Sequence, residues 1–388
     1  MPSPHSTWVG SWAASQQIPE PANAVDAGDL TDATIRQIVH LSIGGSQIRV
    51  HLSNAFGTEP LRIDAVHVAH ALAGGKIDAA TDMGVMFAGR PEVVIPAGAE
   101  YVSDAVNLTV TPLSDLSVTL HMAEAPARET GHPGSRETSY FAHGSSVGAA
   151  ELPEAKKIEH WYFLSGVDVA GAPGGFSVIT LGDSITDGHG ATTNGNDRWP
   201  DVLAQRLQAS AKMRNIGVLN QGIGGNHMLT DGLGPNVLAR FDRDVLAQPG
   251  VRTVILLEGI NDLGALSRAG DAPPAQHDAL VAQMIGSYEQ VIERAHTHGI
   301  KVLGATITPD VGSDYYHPGP ANEADRMKVN AWIRGAGHFD GVIDFDKAAA
   351  DPAHPDRLRP EYDSGDHLHP SPVGYKAMAA AIPLDLLQ

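Results

Sequence analysis

Apolar and polar residues alternate along much of the first 170 positions. From Ala33 to Ser53 the run ATIRQIVHLSIGGSQIRVHLS keeps a period of two on both sides of Gly44-Gly45-Ser46. That pattern predicts two strands joined as a hairpin. Further strand-like runs are RIDAVHVAHA (62–71), VMFAGRPEVVI (85–95), AVNLTV (105–110), LSVTLHM (116–122) and HWYFLSGVDVA (160–170). Gly and Pro separate them, and no long helical period intervenes. Short strands with regular turn signals predict an all-β sandwich or jelly roll. The stretch GAPGG (171–175) reads as a linker. The expected division is a β domain over 1–171 and a second domain over 172–388.

After the linker the period changes. Short apolar runs alternate with helical segments: FSVITL (176–181), NIGVLN (215–220), VRTVILLEG (251–259), IKVLGATI (300–307) and GVIDF (341–345). Between Ala279 and Thr297, residues Leu280, Met284, Tyr288, Val291, Ile292 and Ala295 recur at helical spacing. A last helix starts at Pro372 with Ser371 as N-cap, and Tyr375, Met378, Ala379 and Ile382 form its buried stripe. Alternating β and α units predict a parallel sheet with helices on both faces, a three-layer α/β/α sandwich with right-handed crossovers.

Composition narrows the partners. The 388 residues are 42% apolar and 18% charged, enough for two packed cores. The 26 basic and 45 acidic residues give a net charge of -19. Such a field repels phosphate backbones and anionic headgroups, so neither nucleic acid nor membrane is an expected partner. Solubility is the plainer reading of the acidity. There are no cysteines, hence no disulfide, thiolate metal site or cysteine nucleophile. No apolar run approaches the roughly 20 residues of a membrane span. The start, MPSPHSTWVGSW, lacks the basic and apolar segments of a signal peptide. A cytoplasmic protein and one exported after leader removal both fit.

In open α/β sheets, ligands bind beyond the carboxyl ends of the strands. After the first apolar run stands Gly182-Asp183-Ser184. After the second comes Asn220-Gln221-Gly222-Ile223-Gly224-Gly225-Asn226, and after the third Gly259-Ile260-Asn261-Asp262. Asp366-His367-Leu368-His369-Pro370 precedes the last helix. These residue types suit acyl transfer. A serine hydroxyl is a poor nucleophile until a base takes its proton. A histidine does this near neutral pH when a carboxylate holds its ring. Glycine N–H groups and an asparagine amide can hold an oxyanion. A turn of three residues can bring Asp366 against His369.

These four segments resemble the blocks of the SGNH subgroup of GDSL esterases and lipases. GDSITDG is similar to the nucleophile block, Asn220 to Asn226 to the glycine block, Gly259-Ile260-Asn261-Asp262 to G-x-N-D, and Asp366-x-x-His369 to D-x-x-H. The resemblance covers roughly residues 175–385. It implies a flavodoxin-like catalytic sheet that needs no cofactor and no metal. It also implies Ser184 as nucleophile, His369 as base and Asp366 as orienting acid. The Ser184 N–H, Gly225 and Asn261 would be the oxyanion donors. Gly222 and Gly224 compete with Gly225, which lies five residues after Asn220. The β domain resembles one carried by some larger members, including certain carbohydrate acetyl esterases. The expected partner is a small-molecule or carbohydrate ester of short acyl length. The alternative is a non-catalytic carbohydrate-binding protein built on the same two domains.

Other readings compete for single residues. Asp183 and Asp262 read best as acceptors of backbone N–H bonds that stiffen their turns. His367 and His369 have the H-x-H spacing of zinc sites, which His189 or His317 could complete. The glycine-rich loop lacks the Lys-Ser/Thr end of a phosphate-binding loop. Trp199-Pro200 reads as the start of a packed helix. Tyr315 and Tyr316 lie in a loop more aromatic than a connection needs. The stretch HPGSRETSYFAHG (132–144), with Arg136 and Tyr140, is either a border of the acyl pocket or a contact without chemistry.

Overall fold

Most of the alternating runs of the first part form strands, and among the described residues these pair antiparallel. The run 85–95 is strand only at Val93–Ile95, while Trp8–Ala13 and Ser139–His143 are strands outside the expected runs. The computed structural model describes residues 8–268, 270 and 272–388. The first seven residues of the opening segment read above for a leader lie outside them. One four-stranded sheet runs in the order Trp8–Ala13, Leu164–Ala170, Gln47–Ser53, Glu100–Val102. A seven-stranded sheet has Lys156–Ile158, Ser139–His143, Ala33–Leu41, Ser114–Met122 and Ala65–Leu72 in order, with two short edge strands. Both sheets feed one apolar cluster that includes Val9, Ile35, Val50, Val118 and Val167.

The expected hairpin does not form. Ala33–Leu41 pairs with Ser114–Met122 and Ser139–His143, whereas Gln47–Ser53 pairs with Leu164–Ala170 and Glu100–Val102. The glycine turn bonds outward instead: Gly45 exchanges N–H···O bonds with Val110, and the N–H of Ser46 donates to Ala170. Each strand is therefore central in its own sheet, with both edges taken. The run 105–110 supplies only isolated bridges, at Val106 and Val110.

In the second part the five apolar runs become five parallel strands: Phe176–Gly182, Ile216–Gly222, Val251–Leu257, Lys301–Ala305 and Gly341–Ile343. Numbered along the chain, their spatial order is 2-1-3-4-5. Nearly every residue of the first and third strands is buried, which is why they read as continuous apolar runs. The helices Ile260–Ser267, Pro274–Thr297 and Pro320–Ile333 pack together on one face. Trp199–Gln208, Phe345–Ala349 and Pro372–Ala380 cover the other, where Trp199 meets Phe345 edge-on at 5.3 Å. The long helix starts at Pro274 and buries Met284, Tyr288, Val291 and Ala295, with Leu280 and Ile292 half-buried at its flanks. Ser371 caps the last helix by accepting the N–H of Gly374.

Strand order reverses between the first and third strands, and such a reversal opens a crevice at their carboxyl ends. Their register runs to Gly182 opposite Leu257, so the loops that follow both strands leave the sheet side by side. The chain divides into two compact units. One holds the residues up to Phe176 with Thr193–Gly195 and Gln208–Leu219; the other holds the rest.

Candidate active site

The turn after the first strand is built to expose one hydroxyl. A Cβ on Gly182 would lie 2.3 Å from the carbonyl oxygen of Leu257, so only glycine lets the two strands end this closely. Asp183 caps the one-turn helix Ser184–Asp187 by accepting the N–H of Ile185 at 2.9 Å. Gly188, at φ +105°, ends it in the left-handed conformation and donates to Ser184. Ser184 opens this helical turn, where an N–H has no intrahelical acceptor.

The loop before the last helix is stiffened by two aspartates. Asp363 accepts the N–H groups of Gly365 and His367. Asp366 accepts those of Leu368 and His369 through Oδ1, at 3.0 and 2.8 Å. Its Oδ2 lies 2.6 Å from Nδ1 of His369, and Nε2 of His369 lies 2.8 Å from Oγ of Ser184. Burial alone would raise the Asp366 carboxyl, but the His369 ring and the backbone N–H bonds outweigh it and hold the group below the usual carboxylate range. The three residues thus form one chain of hydrogen bonds.

The two remaining candidates line the same cavity. Gly225 has φ +66°, which glycine adopts without steric cost. Among the described residues, neither its N–H nor that of Ser184 has a protein acceptor. Asn261 is buried, and its amide orientation is determined twice. Oδ1 accepts the phenol of Tyr316 at 2.7 Å, and Nδ2 donates to the carbonyl of Asn226 at 2.7 Å. One amide hydrogen remains for the cavity. Burial pushes the Tyr316 phenol up, so it stays a donor. Gly222 and Gly224 are placed differently: the Gly222 N–H donates to Oδ1 of Asn220, and Gly224 lines the cavity beside Gly225.

A buried arginine supports this floor. Arg240 donates to the carbonyls of Gly182 and Gln221, at the ends of the first two strands, and to Oδ1 of Asn226. Its charge is matched by Asp244 at 3.0 Å. Asp262 accepts the N–H groups of Met228 and Leu229, tying the glycine loop to the third strand's loop. Burial raises the Asp183 carboxyl to about 7, against the pull of the Ile185 N–H and Arg240. Burial and the nearby Asp183 drive Glu258 well above its ordinary value. No sequence signal marks Arg240; Asn226 and Tyr316 stand in stretches the sequence singles out, but their bonds to Arg240 and Asn261 arise only on folding.

The cavity measures about 630 Å³. Leu233, Leu368, Tyr315 and Tyr316 supply its apolar wall, and the residues lining it all lie between Ser184 and His369. Tyr315 is 52% exposed at the rim, with the Arg268 guanidinium 4.2 Å from its ring centre. The H-x-H pair does not converge: Nδ1 of His367 turns to Asp363 at 2.5 Å. Trp199 is buried at the start of its helix.

Residues 180–377 match the GDSL-like lipase/acylhydrolase family. No curated protein matches the chain. Among solved structures, a lipolytic protein of the G-D-S-L family from Desulfitobacterium hafniense DCB-2 is 24% identical, over 53% of this chain and 96% of that one, with a TM-score of 0.39. A GDSL-like lipase from Bacteroides thetaiotaomicron VPI-5482 is 20% identical over 54% and 87%, with a TM-score of 0.39. An acetylxylan esterase from Geobacillus stearothermophilus is 22% identical over 55% and 94%, with a TM-score of 0.40.

Proposed function

The chain belongs to the GDSL-like lipase/acylhydrolase family, and from that premise we propose that it is a serine hydrolase of short-chain carboxylic esters, acetyl to butyryl. An acetylated carbohydrate is the specialised case. Residues 172–388 are the catalytic domain in this reading, and 1–171 an accessory β domain. One observation carries the assignment: the continuous path from Ser184 Oγ to His369 Nε2 at 2.8 Å and from His369 Nδ1 to Asp366 at 2.6 Å.

Along that path, His369 takes the Ser184 proton as the oxygen attacks the ester carbonyl. Asp366, held ionised, stabilises the imidazolium and keeps its ring in place. The carbonyl oxygen becomes an oxyanion, received by the N–H groups of Ser184 and Gly225 and by the remaining amide hydrogen of Asn261. Collapse expels the alcohol, which takes its proton from His369. Water, deprotonated by the same imidazole, then releases the acid.

Gly224, Gly225, Leu233 and Leu368 line the cavity that holds Ser184, and small and aliphatic lining of this kind suits a small acyl group. The exposed ring of Tyr315, stacked under Arg268, offers an apolar face on which a sugar can lie. The test is turnover of p-nitrophenyl acetate, butyrate and octanoate, with acetylated oligosaccharides alongside. Ser184→Ala should abolish hydrolysis without lowering the melting temperature. Turnover retained in that variant would remove the nucleophile assignment. A preference for octanoate would remove the short-chain reading.

A further inference from the structure

A second imidazole stands beside His369. The rings of His189 and His369 lie with their centroids 4.1 Å apart, tilted by 43°. Nε2 of His189 is 3.9 Å from Oδ2 of Asp366. His189, Asp366 and His369 each offer a ligand atom, all within 4.8 Å of one another. The backbone under His189 is pinned on both sides. Its N–H donates to the Ser184 carbonyl at 2.9 Å, and its own carbonyl accepts the phenol of Tyr375 at 2.6 Å. The flanking Gly188 and Gly190, at φ +105° and +89°, set the loop that aims the ring. The side chain is 49% exposed, so an ion from solvent can reach it.

We propose that His189, Asp366 and His369 form an inhibitory site for a borderline-soft divalent cation, zinc above all. Two imidazoles and one carboxylate suit zinc, whereas magnesium and calcium favour all-oxygen sets. A tetrahedral zinc holds such ligands at about 2.0–2.2 Å, which places them about 3.2–3.6 Å from one another. Reaching that geometry means closing the His189–Asp366 gap from 3.9 Å, opening the Asp366–His369 pair from 2.6 Å and bringing the two imidazole nitrogens to the same spacing from within 4.8 Å. All three are movements of side-chain ends. Water fills the fourth position.

The metal acts through the tautomer of His369. In the hydrolytic arrangement Nδ1 carries the ring proton toward Asp366, and Nε2 accepts from Ser184. A cation on Nδ1 displaces that proton, which passes through solvent to Nε2, with no net release. Nε2 is then a donor and cannot take the Ser184 proton. The inhibitory effect rests on the hydrolase reading above. The binding itself rests only on the three side chains.

Binding is measured on the full chain carrying Ser184→Ala, after treatment with EDTA, at about pH 7.5, where free imidazole is largely neutral. Zinc is titrated by calorimetry, and cobalt(II) is followed by its visible absorption. One site is expected, weakened at least about tenfold when His189→Ala is added, since even outer-shell losses cost that much. In the active chain, zinc should suppress p-nitrophenyl acetate turnover over the same concentration range, reversibly with EDTA. The inhibition curve of His189→Ala, scaled to its own metal-free rate, should shift by the same factor. Absence of binding, or binding unchanged by His189→Ala, overturns the site. Binding that depends on His189 but leaves turnover intact overturns the inhibitory role. Because the binding arm uses a chain without the serine, its outcome is separate from that of the esterase assignment.

Discussion

The phenol of Tyr316 donates to Oδ1 of Asn261 at 2.7 Å, across 55 positions of sequence. With the bond from Nδ2 to Asn226, it leaves the amide a single orientation, in which one N–H faces the cavity. Tyr316→Phe is therefore expected to lower kcat roughly three- to tenfold, the value of one net hydrogen bond, with little change in KM. Asn261→Ala should cost roughly 10²–10³ in kcat. With Asn261→Ala already in place, Tyr316→Phe should have almost no further effect, because the group it positions is gone. Equal losses in both backgrounds would show that Tyr316 acts elsewhere.

Asp366→Asn should be more damaging than the loss of one charge suggests. Oδ1 of Asp366 already accepts two backbone N–H groups. The asparagine oxygen must stay there, which turns its NH₂ toward Nδ1 of His369. Nδ1 must then accept, the ring proton moves to Nε2, and the base is lost. A fall in kcat of roughly 10²–10⁴ is expected, read from initial rates on p-nitrophenyl acetate. A loss below tenfold would mean that another group sets the tautomer.

Stability should respond to pH through Asp183. Burial raises its carboxyl to about 7, whereas an unfolded aspartate titrates near 3.9. Between those values the folded chain keeps a proton that the unfolded chain has released, so stability falls as pH rises from about 4 to 7. Asp183→Asn still accepts the Ile185 N–H but does not titrate. The melting temperature of the native chain should drop relative to this variant across that window. A constant difference from pH 4 to 8 would refute a protonated carboxyl.

Gly259 has φ +118°, and a Cβ there would meet Met284 Cε at 2.5 Å and the Tyr288 phenol at 2.7 Å. Gly259→Ala should destabilise the chain by about 1–3 kcal/mol, the cost of forcing a side chain into that backbone region. Chemical denaturation measures this directly, as a lower midpoint at unchanged slope. An unshifted midpoint would mean that the loop relaxes freely.

Periodicity along the chain was enough to locate all five strands of the parallel sheet, the long helix with its buried stripe, and the Ser371 cap. Those signals are local: burial on both faces writes a continuous apolar run, and a cap depends on residues three apart. Ser184, Asn261, Asp366 and His369 could be picked out because each follows a strand end or precedes a cap in a short motif. Folding alone decided that Ala33–Leu41 and Gln47–Ser53 join different sheets, since a strand's alternation says which face is buried and not which neighbour takes its edges. It also decided that Arg240 clamps two strand ends, that Tyr316 reaches Asn261, and that His189 lies against His369. Hydrogen bonds and ring contacts are satisfied through space, over a few ångströms, and residues dozens of positions apart carry no mark of them until the sheet has brought their loops together.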